Sequence, residues 1–178
     1  PKDLSALSLV VGIAVAQALA SLGARGIGLK WPNDLLVRRR KLAGILIEMR
    51  SELGGPCSVV IGVGVNVALG EDVRAKIDQP STSLADCCER LPARNQVAAA
   101  LISALVAQLQ GFAIRGFAPQ IAQWRELDAL LDHEVELALP DRLVRGIARG
   151  VDAHGMLQIE HNGRLETFLS GHVRLTDA

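Results

Sequence analysis

The sequence predicts an α+β chain in two parts, a helix-and-sheet domain over residues 1–130 and a small β-barrel over residues 131–178. Three observations carry that division. The chain opens on a long apolar run and shows helical spacing again at 96–114, which gives helices long enough to cover a sheet. Between them lie short Val-, Ile- and Leu-rich runs of strand length, one of them interrupted by Gly62 and Gly64. After Asp132 the pattern changes to alternation, and each run is closed by a turn pair.

The run from Leu4 to Leu22 has nearly the length of a membrane span or a signal peptide, and Ala18-Leu19-Ala20 resembles a cleavage site. Ser5, Ser8, Gln17 and Ser21 interrupt it, Gly12 and the alanines dilute it, and no basic stretch precedes it. It reads as a buried helix, capped by Asp3 or Ser5 and stopped by Gly23. No membrane partner is expected. The chain starts at Pro1 rather than Met, so a longer parent is expected.

Ile27 to Lys30 is a strand that ends in the turn Trp31-Pro32-Asn33-Asp34, because Pro32 lacks a donor and pushes Trp31 toward extended geometry. Leu35 to Val37 and Leu42 to Met49 follow as strands joined at the Arg38-Arg39-Arg40 corner. Val59 to Val67 is a further strand. Its two glycines weaken it, which points to something packing directly on the backbone. Residues 68–93 read as loop. Val97, Leu101, Ile102, Leu105, Val106 and Leu109 then fall at helical spacing, and Pro119 suits the first turn of a helix through Trp124 to Leu130. His133 to Leu139, Met156 to Glu160 and Leu165 to Leu169 alternate between the turns Pro140-Asp141, His154-Gly155 and Asn162-Gly163. Short strands at this spacing, in fewer than about fifty residues, suggest an SH3-like barrel.

Composition narrows the function. Basic and acidic residues cancel at 19 each, and there are two Trp, three Phe and no Tyr. That is neither a basic footprint nor an aromatic platform, so no DNA binding is expected of this stretch. Cys57, Cys87 and Cys88 form no C-x-x-C pair and are odd in number, which suits a reduced, cytoplasmic protein. His133, His154, His161 and His172 lack metal-ligand spacing and read as structural or surface residues.

Chemistry concentrates in three blocks: Lys30-Trp31-Pro32-Asn33-Asp34, Arg40-Lys41-Leu42-Ala43-Gly44-Ile45-Leu46 and Ile61-Gly62-Val63-Gly64-Val65-Asn66. Two ammonium groups facing a glycine-lined groove could bind a carboxylate or phosphate and neutralise charge that grows during group transfer. The alternative is that these lysines are solvated, as most are. Arg149 could reach the same place or pack on the barrel, and the Arg38-Arg39-Arg40 run reads as a solvated corner.

K-W-P-N-D, R-K-L-A-G-I-L and I-G-x-G-x-N, in this order and spacing, resemble the core motifs of biotin–protein ligases, and G-I-x-R-G-V-D at Gly146 to Asp152 resembles the family's carboxyl-terminal barrel. The resemblance implies a mixed sheet with helices of the class II aminoacyl-tRNA/biotin synthetase type. It implies formation of biotinyl-5′-AMP from biotin and Mg-ATP, then transfer of biotin to a lysine of a biotin carboxyl carrier protein. By resemblance Lys41 is the catalytic residue, contacting the biotin carboxyl and the bridging phosphate. Gly44, Gly62 and Val65, with Lys41, would line the biotin pocket. Lys30, Asn33, Asp34 and Asn66 would lie at the nucleotide, Asp34 orienting a cation or assisting Mg2+. No metal ligands are assigned. Family members carry an upstream Gly/Arg-rich loop that has no counterpart here, and Ser81, Thr82 and Ser83 stand where some ligases place an adenine-stacking tryptophan. A catalytically incomplete fragment acting as a binding or dimerisation module, and a lipoate-type ligase, are the alternative readings. Family dimers pair at a sheet edge, and residues 51–56 match a segment near that surface, so a homodimer is a further expectation.

Overall fold

The computed structural model describes residues 4–51 and 57–176. Helix α1 spans Leu7–Ser21, and Gly23, at a φ of +97°, turns the chain out of it. Leu9, Val10, Ile13, Val15 and Leu19 are all buried, as expected of a helix apolar around its whole circumference. Of its two expected caps, Asp3 lies outside the described residues. Ser5 does something else: its hydroxyl donates to the carbonyl oxygen of His154 at 2.7 Å, reaching the far part of the chain.

Four strands follow: β1 (Ile27–Lys30), β2 (Asp34–Val37), β3 (Arg40–Ser51) and β4 (Cys57–Val65), arranged in that order with antiparallel pairing throughout. Among the described residues, the parallel pairing of the mixed sheet implied by resemblance consists of two isolated bridges, Leu29 with Asp128 and Lys41 with Ser81. Between β2 and β3 the two turn residues Arg38 and Arg39 both have positive φ, +50° and +62°, the geometry a two-residue hairpin needs to match strand twist. Ala43 and Ile45 face α1, which lies across the sheet; α4 (Arg94–Arg115) packs behind α1.

Helix α4 departs from its expected pattern. Val97 and Phe112 are buried, but Ile102 and Val106 lie outward and Ile114 is 81% exposed. Apolar residues nearly encircle this helix, so spacing alone could not tell which stripe faces inward. By length and composition α4 is also apolar enough to cross a membrane, whereas the opening run forms the shorter, buried α1. The stretch expected to be loop holds two single-turn helices, α2 (Glu71–Arg74) and α3 (Leu84–Cys87), fastened together by an ion pair from Arg74 to Asp86 at 2.5 Å. A 3-10 turn at Ala118–Gln120 leads into α5 (Ile121–Leu127).

The second sheet has β5 (Glu134–Ala138), β6 (Leu143–Val151), β7 (Leu157–His161), β8 (Arg164–Phe168) and β9 (His172–Leu175), in the order β8-β7-β6-β5-β9. Strands β6 and β9 were not anticipated. In β6, Gly146 interrupts the alternation because a side chain there would collide with the carbonyl oxygen of Glu160, and Gly150, at φ +95°, sits in a register shift against β7. β9 has only four residues. Among the described residues no ladder joins β8 to β9, so hydrogen bonding does not close the expected barrel. Residues 52–56, within the segment assigned to a dimer surface, lie outside the described residues. The second sheet docks on the first part of the chain where Gly155, in the β6–β7 loop at φ +78°, packs on Ala6 and Leu9 of the α1 entry.

Candidate functional site

Strand register builds the site. Lys30 pairs with Asp34, Asp34 with Gly44 and Gly44 with Gly64, so these four residues form one row across the sheet. Cross-strand partners share a face, and this is the face turned away from α1. Lys41 would fall out of phase with Gly44 in a regular strand. A bulge opposite Leu35 and Leu36 corrects this by inserting the buried Leu42. As a result the Lys41 ammonium lies 2.6 Å from Asp34 Oδ1, while Lys30 Nζ is 3.9 Å from Asp34 Oδ2.

The three charged groups are unusually enclosed, with side-chain exposures of 16% for Lys30, 12% for Asp34 and 29% for Lys41. Such groups are rarely this buried unless paired, and here one carboxylate bridges two ammoniums. Burial pushes the Lys30 amine below its ordinary value; Lys41 and Arg174 add to that shift and Asp34 opposes it. Gly44 makes the arrangement possible: a Cβ there would lie 3.2 Å from Lys41 Cε and 3.3 Å from its Nζ.

Two openings share Asp34 and Lys41. The first is a shallow groove over Asn33, Gly44, Leu46, Gly62 and Gly64. Its floor is open backbone, since a side chain added at Gly64 would approach only the Gly44 carbonyl oxygen, at 3.9 Å. The second is a cleft of about 590 Å³ between Lys30 and the 77–80 loop, walled on its far side by His172 and Arg174. Lys41 therefore stands between a groove that can take an extended apolar chain ending in a carboxylate and a cationic cleft that can take phosphates.

The remaining expected residues divide. Asn33 and Asn66 lie beside the row, but their amides hold the frame. Asn33 Nδ2 donates to the Ile45 carbonyl oxygen at 2.9 Å, which clamps the β1–β2 turn onto β3. Asn66 Nδ2 donates to the carbonyl oxygens of Lys41, at 3.2 Å, and Thr82, at 3.0 Å, binding the start of β3 to the 80–82 segment. Val65 pairs with Ala43, so its side chain belongs to the α1 face and lines a separate groove with Val67, Val97 and Leu101. It does not join Gly44 and Gly62. Arg149 is engaged elsewhere, 2.6 Å from Asp132 and 2.8 Å from Glu160. Arg39 is exposed at its hairpin corner, as expected, and also borders the cationic cleft.

His172 and Arg174 were missed altogether as site residues. They lie more than 130 positions beyond Lys41, and no motif marks them; only the docking of β9 beside β1 brings them in. Among the described residues no group of three or more His, Cys, Asp or Glu could hold a metal ion.

Residues 1–66 match the Biotin/lipoate A/B protein ligase family, and residues 130–175 match the Biotin protein ligase C terminal domain. Over 172 residues the chain is 38% identical to the bifunctional ligase/repressor BirA of Escherichia coli, covering 97% of this chain and 53% of that protein. Over 172 residues it is 37% identical to the biotin--[acetyl-CoA-carboxylase] ligase of Mycobacterium tuberculosis, covering 94% of this chain and 61% of that one. The chain thus spans little more than half the length of these relatives. The crystal structure of biotin protein ligase from Aquifex aeolicus superposes with a TM-score of 0.85 at 25% identity, covering 98% of this chain and 77% of that one.

Proposed function

Because the chain belongs to the biotin protein ligase family, we propose that it forms part of an ATP-dependent ligase that makes biotinyl-5′-AMP and transfers biotin to a lysine of a biotin carboxyl carrier protein. Residues 1–130 supply part of the catalytic domain, and residues 131–178 an SH3-like partner domain. The observation that carries this reading is the row Lys30-Asp34-Gly44-Gly64, with the Lys41 ammonium over Gly44 at the junction of groove and cleft.

In this reading biotin lies over Gly44, Gly62 and Gly64 with its carboxylate at Lys41, and the triphosphate of Mg-ATP lies in the cleft beside Lys30. A carboxylate oxygen attacks the α-phosphorus. The bond from that phosphorus to the bridging oxygen breaks, and diphosphate leaves with the electron pair. Lys41 neutralises charge on the α-phosphate as it grows, and Asp34 holds the ammonium in place. The amine of the carrier lysine then attacks the acyl carbon; an amide forms, AMP leaves, and the amine's proton passes to solvent. Mg2+ enters with the nucleotide as part of the substrate. The unpaired thiols of Cys87 and Cys88 support a cytoplasmic setting.

Biotin-dependent exchange of labelled pyrophosphate into ATP by the full parent protein tests the reading. Exchange with biotin that disappears in Lys41→Ala supports it. Exchange with lipoate instead would assign the lipoate branch of the family, and exchange with neither would leave a binding module.

A further inference from the structure

Helix α4 carries an apolar face that no described residue covers. No Asp, Glu, Lys, Arg or His occurs from Asn95 to Ile114, yet of its 22 residues only Val97 and Phe112 are buried. Leu101, Leu105 and Leu109 pack partly on the core, and Gln108 donates to Gln17 Oε1 on α1 at 3.0 Å. The other side presents Ile102, Val106 and Ile114, at 63%, 52% and 81% exposure, with Ala99 and Ala113 among them. A helix that packs on one side and meets water on the other ordinarily carries charge on its wet side. Here charge is confined to the ends: Arg90 and Arg94 at the start and Arg115 at the finish, all exposed. Glu89, the acid nearest in sequence, is taken up by Arg25 at 3.2 Å, and no acid follows Arg115 before Glu126.

A second copy of the helix and a lipid surface both suit an apolar stripe, and area and charge separate them. A helix of 22 residues is about 33 Å long and ~10 Å wide. One face therefore offers roughly 330 Å², less than half of the ~800 Å² per partner in a stable interface. Antiparallel pairing would also set Arg94 of one copy beside Arg115 of the other, and parallel pairing would set each arginine beside its own copy. Both bring cation to cation. Anionic headgroups reverse the sign: the arginines at both ends meet phosphate, while Ile102, Val106 and Ile114 enter the boundary between headgroups and acyl chains. Because one side of α4 is held by α1, the helix can lie in that boundary but cannot cross the bilayer.

We propose that α4 is an interfacial anchor through which the protein rests reversibly on an anionic membrane surface, with Ile102, Val106 and Ile114 inserted and Arg90, Arg94 and Arg115 on the headgroups. The apolar run with access to a membrane is then α4 rather than the opening run, which α1 buries. The layers of the fold suit this contact. The row Lys30-Asp34-Gly44-Gly64 lies on the sheet face turned away from α1, and α4 packs behind α1. A surface under α4 therefore leaves the groove and the cleft open to solvent on the far side of the molecule. The contact is independent of what the cleft binds.

The test is flotation of the full parent protein with vesicles of phosphatidylglycerol and phosphatidylcholine in equal parts, and with phosphatidylcholine alone. Wild type should float with the anionic vesicles, ignore the neutral ones, and come off as salt rises. Arg115→Gln should weaken partition on the order of fivefold, the scale of one basic residue at an anionic surface. The neutral pair Val106→Gln with Ile114→Gln should weaken it on the order of tenfold or more, by removing the inserted side chains. That double variant should keep the wild-type unfolding midpoint and adenylation rate, because both side chains stand in water. Wild type that fails to float, or flotation that survives the double variant, would overturn the anchor. Dimers that the double variant dissolves would assign the face to a second copy instead, and a lowered unfolding midpoint would assign it to the parent's own chain. Flotation of a parent that adenylates nothing would uphold the anchor and count only against the ligase reading.

Discussion

Trp31 donates its indole N–H to the carbonyl oxygen of Gly155 at 3.0 Å, and this bond fastens the turn that carries Asn33 and Asp34 to the loop between β6 and β7. Trp31 is 2% exposed, so both partners are withdrawn from water. Trp31→Phe keeps most of the packing but leaves the Gly155 carbonyl oxygen without its donor. The expected loss is about 1–3 kcal/mol, the cost of an unmet buried polar group. Thermal or denaturant unfolding measures it. The same variant should raise KM for ATP, because the clamp aligns the two walls of the cleft.

Gly155 is constrained from the other side as well. Its φ is +78°, and a Cβ would lie 2.7 Å from the Ala6 Cβ and 2.9 Å from Leu9 Cδ1. Gly155→Ala therefore combines a left-handed backbone, costing roughly 1–2 kcal/mol, with a clash against the entry to α1. Destabilisation larger than that of Trp31→Phe is expected in the same unfolding assay. A neutral result would mean that the β6–β7 loop does not dock on the α1 entry as described.

At the site itself, Lys41→Ala should lower the rate of biotin adenylation on the order of 10²–10³-fold, the range for losing one preorganised charge at a transfer centre. Asp34→Asn should have a smaller effect, since it leaves Lys41 in the cleft but removes the carboxylate 2.6 Å away that aims it. Single-turnover formation of the adenylate separates these two effects from product release. Equal losses in both variants would mean that Asp34 does more than orient.

Much of this was legible in the residues. Alternation and turn pairs located β5, β7 and β8, and the three motif blocks located Lys30, Asp34, Lys41 and Gly44, because the strand pairing that aligns them is local: β1 to β4 are consecutive neighbours. Three things were not legible. That Lys41 shares a face with Gly44 depends on the bulge at Leu42, which shifts phase by one residue and leaves no mark in composition. The work done by the amides of Asn33 and Asn66 depends on the segments they bridge, and one of these, Thr82, was read as loop. His172 and Arg174 reach the cleft only because β9 pairs with β5 rather than with its neighbour in sequence, β8, a contact that no local pattern encodes.

The 80–82 segment gives a last prediction, this one in pH. Lys41 N donates to the Pro80 carbonyl oxygen and Thr82 N donates to the Lys41 carbonyl oxygen, each at 2.9 Å, so this segment pins the backbone of Lys41. The segment is anchored in turn by Asp86, which accepts from the Ser83 hydroxyl at 2.7 Å and the Ser83 N–H at 2.9 Å, and pairs with Arg74. The Arg74 guanidinium, then Ser83, hold the Asp86 carboxyl well below its ordinary 3.8, at about 2. A depressed folded value means that the anchor is fully present above the unfolded value and is lost as pH falls from about 4 toward 2. Asp86 and Arg74 are both substantially solvated, so the contribution is screened to about 1 kcal/mol or less. Asp86→Asn should therefore lower stability slightly at neutral pH and flatten the acid limb of the stability curve between pH 4 and 2. If the Ser83–Asp86 anchor sets the position of Lys41, the same variant should slow adenylation at pH 7 without changing the global unfolding transition by more than that small amount. An unaltered acid limb would place the anchor outside the folding equilibrium and remove the link to Lys41.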